Sequence, residues 1–444
     1  MLPEVIEIVP LKTPVSAEIT VPGSKSITNR ALILAALANG ETRLTGALWS
    51  EDTQVMADCL TKLGFEVKVE ADPNEFCNRT ITVTGQGGKI PNAGTMEKPL
   101  ELFVGNAGTA ARFLSALVCL GNGVYRLSGV PRMHERPQAA LFSALRELGY
   151  QIDSPNDKLP VIVHGIGWKP GTCHVNVSES SQFASALLMG AKTGGWDVRV
   201  SGEDLEEMPY VKMTERLIEV FPKTGGEFQI EPDASSGSYF WGAGWIMRDR
   251  EWTKVGPHES RQTIMVVRVA NWPTSGWQID AEFPTFIPLP DSISRAYQLG
   301  DSIMTAIVLA ADEHLTGPRF RPKFLEFTDL SRLRVQETER VTALRTELTK
   351  CGAQVVEDGD TLIVFPSKLH GAEIETYNDH RMAMCFAILG LKIPGIRIKN
   401  PACVKKTFPN FFQKLAAPPP HGLGVTILDC ADGWALKAEE LFAD

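Results

Sequence analysis

The chain has 444 residues, of which 43% are hydrophobic and 22% charged, and its formal net charge is −9 at pH 7. This length predicts two or three domains, each large enough to form a core. The acidic balance argues against wholesale binding to nucleic acid or an acidic membrane, so any anion must be bound by a local basic cluster.

The cysteines and histidines argue against a metal site. The eight cysteines are scattered without a Cys-x-x-Cys pair, and the eight histidines show no His-Glu-x-x-His spacing. We therefore expect reduced thiols in a cytoplasmic setting and no zinc or iron–sulfur centre. The first residues lack the basic and apolar regions of a signal peptide, and no apolar run reaches the ~18 residues that a membrane span needs.

Six short polar clusters each open an apolar, small-residue run that predicts a buried helix. In chain order they are Lys25-Ser26, Asn106-Ala107-Gly108-Thr109, Ser180-Ser181-Gln182, Asp233-Ala234-Ser235-Ser236, Asp301-Ser302 and Asn378-Asp379-His380-Arg381. Ser, Asn and Asp at a helix start accept hydrogen bonds from free backbone N–H groups. The same end of a helix carries partial positive charge, so six such ends aimed at one place would form an anion site.

The sequence that follows each helix start is also repeated. A turn with glycine and a short alternating strand come next, as in residues 40–46 and 123–129. A second, amphipathic helix often follows and stops at a glycine before a strand, as at Gly64, Gly149 and Gly352. The pattern predicts βαβαββ units of about 55–80 residues, longer than most solenoid repeats, and six such units fill two domains of three.

Basic side chains lie at or near several of these helix starts. They are Lys25, Arg30, Arg112, Arg136, Arg334, Arg340, Arg381, Lys405 and Lys406. Arginine suits phosphate and carboxylate groups because its planar fork donates two parallel hydrogen bonds. The phrase at residues 22–26 is not a nucleotide P-loop, because Ile19 stands where that motif requires its first glycine.

Five phrases resemble the 5-enolpyruvylshikimate-3-phosphate synthases of the enolpyruvyl transferase family. They are Pro22-Gly23-Ser24-Lys25-Ser26 with Arg30, Gly105-Asn106-Ala107-Gly108-Thr109-Ala110 with Arg112, Glu135-Arg136-Pro137, Ser180-Ser181-Gln182-Phe183, and Tyr377-Asn378-Asp379-His380-Arg381-Met382-Ala383-Met384. The resemblance extends over residues 8–415 and is weak over residues 246–297. It implies a two-domain inside-out α/β barrel, in which each domain has three repeated βαβαββ units around a pseudo-threefold axis and the domains close on substrate.

The domain limits follow from the repeats and the resemblance together. We expect a first, discontinuous domain of residues 1–22 and 241–415, a second domain of residues 23–240 and a C-terminal extension of residues 416–444. In the extension, Val425 to Leu428 is expected to form a strand and Trp434 to Phe442 a helix.

Members of this family transfer the enolpyruvyl group of phosphoenolpyruvate to the 5-hydroxyl of shikimate 3-phosphate by addition–elimination and release phosphate. The reaction belongs to chorismate and aromatic amino-acid biosynthesis in the shikimate pathway, and glyphosate inhibits it. The resemblance implies this activity in a cytoplasmic monomer with no metal, organic cofactor, nucleic-acid partner or membrane partner. Two alternatives are an enolpyruvyl transferase that acts on a UDP-sugar and a non-catalytic anion-binding relative.

The resemblance also implies roles for single residues. Asp301 would be the base at the 5-hydroxyl, Glu337 the acid that protonates the methylene carbon, and Lys25 would reach both substrates. The shikimate 3-phosphate site would comprise Lys25, Ser26, Arg30, Ser180, Ser181, Gln182, Tyr210, Asp301, Arg332 and Gln336. The phosphoenolpyruvate site would comprise Lys25, Asn106, Gly108, Arg136, Gln182, Arg340, Arg381 and Lys406. Each substrate carries a phosphate and a carboxylate, so bringing them together requires dense positive charge.

Four positions depart from the family pattern. Glu207 replaces the usual serine, Arg332 the usual asparagine and Gln336 the usual lysine on the shikimate side. One positive charge is lost at 336 and one is gained at 332, so we expect Arg332 to take over part of the missing lysine's role. Phe113 stands where glyphosate-sensitive members usually have proline, which predicts altered sensitivity, whereas the retained Gly108 favours sensitivity.

Overall fold

The computed structural model describes residues 2–202, 208–248, 267–313 and 323–443. Its internal contacts divide the chain into two units. The inserted unit is Pro22–Glu231, and the terminal unit combines Met1–Val21 with Pro232–Asp444. The terminal unit includes the predicted C-terminal extension.

Strands and helices alternate along most of the chain. The strands are β1 (Val5–Ile8), β2 (Ala17–Ile19), β3 (Asn39–Leu48), β4 (Glu66–Ala71), β5 (Asn78–Gln86), β6 (Leu100–Phe103), β7 (Asn122–Ser128), β8 (Gln151–Asp153), β9 (Val161–Ile166), β10 (Gly171–Asn176), β11 (Trp196–Ser201), β12 (Gly226–Gln229), β13 (Val267–Val269), β14 (Ser292–Ser294), β15 (Leu325–Thr328), β16 (Gln354–Asp358), β17 (Thr361–Phe365), β18 (Glu373–Ile374), β19 (Ile396–Lys399) and β20 (Ile427–Asp429).

The α-helices are α1 (Lys25–Leu37), α2 (Glu51–Lys62), α3 (Gly108–Leu117), α4 (Pro131–Glu135), α5 (Ala139–Glu147), α6 (Ser181–Gly194), α7 (Met208–Val220), α8 (Ala234–Ile246), α9 (Ile303–Ala310), α10 (Arg340–Lys350), α11 (His380–Gly390) and α12 (Phe411–Ala416). Short 3-10 helices span Val118–Leu120, Ile279–Phe286, Ser331–Val335, Pro401–Lys406 and Ala438–Leu441. None of the described helices is long and apolar enough to cross a membrane.

All six predicted helix starts open a helix. Helices α1, α3 and α6 contact one another inside the inserted unit, and α8, α9 and α11 do so inside the terminal unit. Every residue of α3 and α11 is buried, because alanine, glycine and other small residues let these helices pack closely on all sides. The predicted interior position of the six helices is confirmed.

Side-chain capping occurs at only three of these six starts. Ser180, Asp233 and Asp379 accept hydrogen bonds from backbone N–H groups of α6, α8 and α11. Helices α1, α3 and α9 begin without such a cap. Near these uncapped starts, Lys25 and Asp301 form ion pairs instead, so the polar clusters have two different uses.

The sheets follow one pattern of pairing. In β6-β7-β9-β8 and in β14-β15-β17-β16, a parallel pair is extended by two antiparallel strands. Together with α3, α5, α9 and α10, these strands form two complete βαβαββ repeats. The mixed α/β fold with repeated units is therefore confirmed, although the described strands form separate open sheets rather than one closed barrel.

Two further sheets take strands from distant parts of the chain. Strand β12 pairs with β3 at the edge of β12-β3-β5-β4, and β1 lies between β19 and β20 in β18-β19-β1-β20. The remaining described strands form the parallel pairs β10-β11 and β13-β2. The strand expected at Val425 to Leu428 thus forms as β20, whereas the expected last helix is only the 3-10 turn Ala438–Leu441.

Gly85 of β5 lies against the carboxyl end of α1. A Cβ at this position would be 2.2 Å from the carbonyl oxygen of Ala35 and 2.3 Å from that of Ala38. Both are backbone atoms of the helix end, so a side chain cannot be accommodated without separating β5 from α1. Only glycine permits this approach.

We expect Gly85→Ala to lower the free energy of unfolding of the inserted unit by about 1–3 kcal/mol, because the methyl group overpacks the contact. The matched control is Gly171→Ala in β10, where the nearest atom to the new Cβ, Leu148 Cδ2, is 3.4 Å away. Urea denaturation followed by circular dichroism measures both variants. Equal midpoints for the two would contradict this account of the β5–α1 contact.

Candidate active site

Lys25 begins α1 and is held by an acid from the neighbouring helix. Its Nζ lies 3.3 Å from Asp52 Oδ2, and the two side chains are 17% and 5% exposed. Asp52 belongs to the first turn of α2. The ion pair fixes the ammonium group at the start of α1, and the remaining exposure leaves it accessible to an anionic ligand.

Arg30 lies one turn further along α1 and is 2% exposed. Its guanidinium donates to Thr214 Oγ1 at 2.7 Å, to Ser185 Oγ at 3.0 Å and to the Tyr210 carbonyl at 3.4 Å. The ring of Phe113 in α3 packs against it, 5.3 Å from Cζ. Arg30 therefore joins α1 to α3, α6 and α7 and positions the start of α7, where Tyr210 lies.

Gly108 begins α3 beside two guanidinium groups. A Cβ here would lie 2.6 Å from Arg112 Nη1 and 2.8 Å from Arg136 Cζ. Arg112 donates to Gln182 Oε1 at 2.9 Å, and Arg136 donates to the Asn106 carbonyl at 3.3 Å. Because glycine has no Cβ, both guanidinium groups approach a helix start whose N–H groups already favour an anion.

Two polar atoms at this helix start have no hydrogen-bond partner among the described residues. Asn106 Oδ1 and Arg136 Nε are buried and make no hydrogen bond to any residue that the structure describes. Buried polar atoms in folded proteins are nearly always hydrogen-bonded. These two atoms are therefore suited to a bound polar ligand.

The start of α6 completes the polar cluster of the inserted unit. Ser180 Oγ accepts a hydrogen bond from the Gln182 N–H at 3.2 Å, and Ser180 and Ser181 are 5% and 3% exposed. The Arg112–Gln182 bond connects this start to that of α3. The inserted unit thus carries the predicted residues Lys25, Ser26, Asn106, Gly108, Ser180, Ser181, Gln182 and Tyr210 at or near the starts of its interior helices and of α7. Arg30 lies in the second turn of α1, and Arg136, which follows α4, bonds to Asn106.

In the terminal unit, Asp301 is surrounded by arginines. Its Oδ2 lies 3.1 Å from Arg381 Nη2, and its Oδ1 lies 3.3 Å from Arg295 Nη2 and 3.9 Å from Arg340 Nη1. Burial by itself raises the pKa of this carboxyl, but Arg381, Arg340 and Arg295 together hold it below the ordinary value. Asp301 is therefore ionised at neutral pH, as a general base must be.

Glu337 is the second carboxylate of this cluster. Its Oε2 accepts from Arg340 Nη2 at 2.8 Å, and its Oε1 accepts from Lys406 Nζ at 2.9 Å. The side chain is 14% exposed, so a ligand can reach it. Because Arg340 also faces Asp301, one guanidinium group connects the two carboxylates.

Arg340 is held in turn by a buried acid. Its Nε donates to Asp379 Oδ2 at 2.6 Å and its Nη2 to Oδ1 at 3.2 Å, with side chains that are 1% and 0% exposed. Asp379 Oδ1 also accepts from the Arg381 N–H at 2.9 Å. One carboxylate thus orients Arg340 and caps the helix that carries Arg381.

The Arg381 side chain extends across the starts of the interior helices. Besides Asp301, it donates to Ser235 Oγ at 3.1 Å and to Tyr239 Oη at 3.4 Å. Ser235 and Tyr239 belong to α8, and Asp301 directly precedes the N-terminal cap of α9. Arg381 therefore joins the starts of α8, α9 and α11.

The structure accounts for some of the departures noted in the sequence. The Gln336 amide accepts from Arg340 and donates to Asp301 Oδ1 at 3.5 Å, so it bridges Asp301 and Arg340. Arg332 lies half-buried in the 3-10 helix Ser331–Val335, and its expected role stays a prediction. Phe113 is buried against Arg30, and the altered glyphosate sensitivity stays a prediction as well. Glu207 lies outside the described residues.

Several residues of these clusters escaped prediction from the sequence. They are Asp52, Tyr239, Asp280 and Arg295, whereas Ser235 belongs to one of the predicted polar clusters. Asp280 and Arg295 lie within the stretch of weak resemblance, so no motif marked them. Asp52 has only the ordinary signal of an acid in the first turn of a helix. Arg334, in contrast, is directed to the acidic side chains of Glu357 and Asp360.

The two clusters suit anionic substrates and proton transfer. The inserted unit presents helix starts with lysine and arginine side chains, and the terminal unit presents two carboxylates with four cationic neighbours. Within the ranges that the structure describes, no group of three or more His, Cys, Asp or Glu residues could hold a metal ion. Fold and site together define an α/β enzyme that binds anions and carries out acid–base chemistry.

Comparison with known proteins agrees with that class. The sequence profile of the family EPSP synthase (3-phosphoshikimate 1-carboxyvinyltransferase) matches residues 10–223 and 221–415. The 3-phosphoshikimate 1-carboxyvinyltransferase of Nostoc punctiforme is 38% identical over 93% of this chain and 98% of its own length. The enzyme of that name from Aeromonas salmonicida is 38% identical over 91% and 96%. The chain belongs to the EPSP synthase family.

Solved structures show the same fold. An EPSP synthase from Acinetobacter baumannii superposes with a TM-score of 0.66 at 21% identity, covering 95% of this chain and 99% of its own. The enolpyruvyl transferase NikO from Streptomyces tendae superposes with a TM-score of 0.64 at 16% identity, covering 96% and 98%.

We expect Asp379→Ala to lower the free energy of unfolding of the terminal unit by about 3–5 kcal/mol, because it removes the buried carboxylate that accepts two hydrogen bonds from Arg340. The matched control is Asp358→Ala in β16, which removes an exposed carboxylate and should change this free energy by less than about 0.5 kcal/mol. Urea denaturation measures both. If the two variants unfold at the same denaturant concentration, the Arg340–Asp379 pair is not the support described above.

Proposed function

We propose that this chain transfers the enolpyruvyl group of phosphoenolpyruvate to the 5-hydroxyl of shikimate 3-phosphate and releases phosphate, with the residues assigned below. One observation supports the roles proposed for Asp301 as base and Glu337 as acid. Asp301 and Glu337 share Arg340, and each has further cationic partners. This arrangement supplies a base, an acid and the positive charge that two anionic substrates require.

The inserted unit supplies most of the shikimate 3-phosphate ligands in this proposal. Lys25, Ser26, Ser180, Ser181 and Gln182 offer an ammonium group, hydroxyls and an amide at the starts of α1 and α6. Tyr210, Arg332, Gln336 and Asp301 complete the set of ligands. Arg30, which the resemblance assigned to the same site as a ligand, is 2% exposed and bonds the backbone carbonyls of Ser26 and Tyr210. We therefore propose that it supports the site.

The phosphoenolpyruvate ligands are Lys25, Asn106, Gly108, Arg136, Gln182, Arg340, Arg381 and Lys406. Asn106 Oδ1 and Arg136 Nε, which are buried and have no hydrogen-bond partner in the part of the chain that the structure describes, support the assignment at α3. Arg340 and Lys406 now hold the oxygens of Glu337. An anion that binds Arg340 and Lys406 would replace Glu337 as their partner. Glu337 would thereby be released from both cations when it delivers its proton.

The reaction then proceeds in two balanced stages. Asp301 takes the proton of the 5-hydroxyl as that oxygen bonds to C2 of phosphoenolpyruvate, and Glu337 delivers a proton to C3, which becomes a methyl group. In the second stage a C3 proton returns to Glu337, the C2–O bond to phosphate breaks, and the enol ether forms. The phosphate leaves with the bonding electron pair and takes up the proton that Asp301 accepted in the first stage. The arginines stabilise the negative charge that moves during both stages.

We place this reaction in the cytoplasm. All eight cysteines are free, and seven of them are buried. Unpaired cysteines are typical of proteins from a reducing compartment.

The first test is phosphate release from phosphoenolpyruvate with either shikimate 3-phosphate or a UDP-sugar as acceptor. We expect release with shikimate 3-phosphate alone. Asp301→Asn and Glu337→Gln should each lower kcat about 100-fold or more, because general acid–base catalysis contributes that much. Asp291→Asn, which changes an exposed aspartate, serves as the control and should keep the wild-type kcat.

Release with the UDP-sugar alone would select the second transferase class, and release with neither acceptor would select the non-catalytic relative. A wild-type kcat in Asp301→Asn would remove the base from the proposal while leaving the overall activity in place.

The second test concerns pH. Burial raises the pKa of Asp301, and Arg381, Arg340 and Arg295 outweigh this and lower it. Since the base works only when ionised, activity is present above this pKa and is lost as pH falls through it. Arg295→Gln removes one of the three cations, so we expect the acid limb of kcat to move to higher pH.

The control is Arg397→Gln, which changes an exposed arginine of β19 and should leave the acid limb in place. The measurement is kcat against pH at saturating substrates. The free energy of unfolding depends on pH in the same direction. The stability that ionised Asp301 contributes is fully present above the ordinary aspartate pKa and is lost as pH falls through the lowered pKa. An unmoved acid limb in Arg295→Gln would refute the role of this cation.

A further inference from the structure

Two buried polar side chains lie within three residues of each other in a stretch that no motif marks. Gln278 and Asp280 are 7% and 6% exposed. They stand at the beginning of the 3-10 helix Ile279–Phe286. We call residues 278–280 the bridging segment, because each of the two side chains binds backbone at the start of an interior helix.

Asp280 binds the backbone next to Asp301. Its Oδ1 accepts the Ser302 N–H at 2.9 Å. Ser302 is the N-terminal cap residue of α9, and no side chain of its own cluster caps this helix. Asp280 thus supplies an acceptor where α9 lacks one, and it fixes the peptide that joins Asp301 to the helix.

Burying a carboxylate costs more free energy than one hydrogen bond to a backbone N–H group returns. Burial raises the pKa of Asp280, and the charge of Asp301 raises it further. A neutral side chain would cap the helix without this cost. The peptide next to Asp301 is therefore held by the hydrogen bond from the Ser302 N–H, which a neutral amide oxygen at position 280 would also accept.

Gln278 binds the start of α8. Its Oε1 accepts the Ala234 N–H at 3.0 Å, and its Nε2 donates to the Pro232 carbonyl at 2.9 Å. These two bonds lie on either side of Asp233, the cap of α8. Ser235, one residue after Ala234, accepts from Arg381.

We propose that the bridging segment positions the reacting groups of the terminal unit: Asp280 aims the Asp301 carboxylate, and Gln278 aims Ser235 and through it Arg381. This proposal rests on the proposed function for the roles of Asp301 and Arg381. Gln278 and Asp280 are positioning residues, because each bonds backbone rather than any group assigned to substrate. A displacement of about 1 Å at a reacting group costs on the order of 100-fold in rate, so a lost backbone anchor is measurable.

The test compares Asp280→Ala with Asp280→Asn, in the whole chain and with the acceptor that supports phosphate release in the wild type. Alanine removes the acceptor for the Ser302 N–H, whereas asparagine keeps an oxygen there. We expect Asp280→Ala to lower kcat about 10- to 100-fold with KM values changed less than about 3-fold. Asp280→Asn should restore kcat to within about 3-fold of the wild type. Glu282→Ala, on the exposed side of the same 3-10 helix, is the control and should match the wild type.

Hydrogen exchange provides a readout that does not depend on the substrate. Exchange of the Ser302 amide should accelerate in Asp280→Ala but not in Asp280→Asn or Glu282→Ala. Failure of the proposed function appears as a wild-type chain inactive with shikimate 3-phosphate, and the exchange result then still decides the inference. If Asp280→Ala keeps both the wild-type kcat and the wild-type exchange rate of the Ser302 amide, the proposed role of the bridging segment is wrong. An equal loss of kcat in Asp280→Asn also overturns it, because the charge and not the hydrogen bond would then matter.

A second pair of variants remains informative if Asp280→Ala does not fold. Gln278→Leu removes both bonds at the start of α8, whereas Gln278→Glu keeps the acceptor for the Ala234 N–H. Because Arg381 is assigned to phosphoenolpyruvate, we expect Gln278→Leu to raise KM for phosphoenolpyruvate about 10-fold and Gln278→Glu to raise it less. Equal KM values in Gln278→Leu and the wild type would refute the role of Gln278.

Discussion

The buried ion pair of Arg340 and Asp379 is the contact on which the chemistry of the terminal unit depends. Two charges with almost no exposure stabilise the fold only if the geometry satisfies both of them. Here Asp379 accepts two bonds from Arg340 and one from the backbone of α11. Arg340 is thereby left with one edge for Glu337 and Gln336. The orientation of Glu337 thus follows from an ion pair that is almost completely buried.

The two units use buried arginines in a similar way. In the inserted unit, Arg30 joins α1 to its neighbours through hydroxyl and carbonyl oxygens. In the terminal unit, Arg381 joins α8, α9 and α11 through Ser235, Tyr239 and Asp301. The partners of Arg381 include the carboxylate of Asp301. In the proposed function, the repeated architecture therefore supports ligand binding in the inserted unit and proton transfer in the terminal unit.

Local patterns in the sequence predicted the local structure. Small-residue runs marked all six interior helices, and Gly64, Gly149 and Gly352 follow α2, α5 and α10 with positive φ as a helix stop requires. Pairings between distant strands were not foreseen. Nothing in β12 indicates that it pairs with β3, or in β20 that it pairs with β1. Long-range pairing depends on the tertiary fold and leaves no periodic signal.

The same limit applies to the site. Motifs marked the residues assigned to the substrates, such as Lys25 and Arg381. They did not mark the partners that hold them, such as Asp52 and Arg295, because the pairing of buried charges depends on packing. Most residues assigned to the site were therefore predicted from the sequence. The structure mainly reveals the residues that hold them in place.

Phosphorus NMR of the whole chain with equimolar phosphoenolpyruvate and shikimate 3-phosphate tests the central claim most directly. The account predicts that the phosphoenolpyruvate signal gives way to inorganic phosphate while the 3-phosphate stays attached to a new enol ether. Loss of the 3-phosphate, or release of phosphate without consumption of shikimate 3-phosphate, would contradict it.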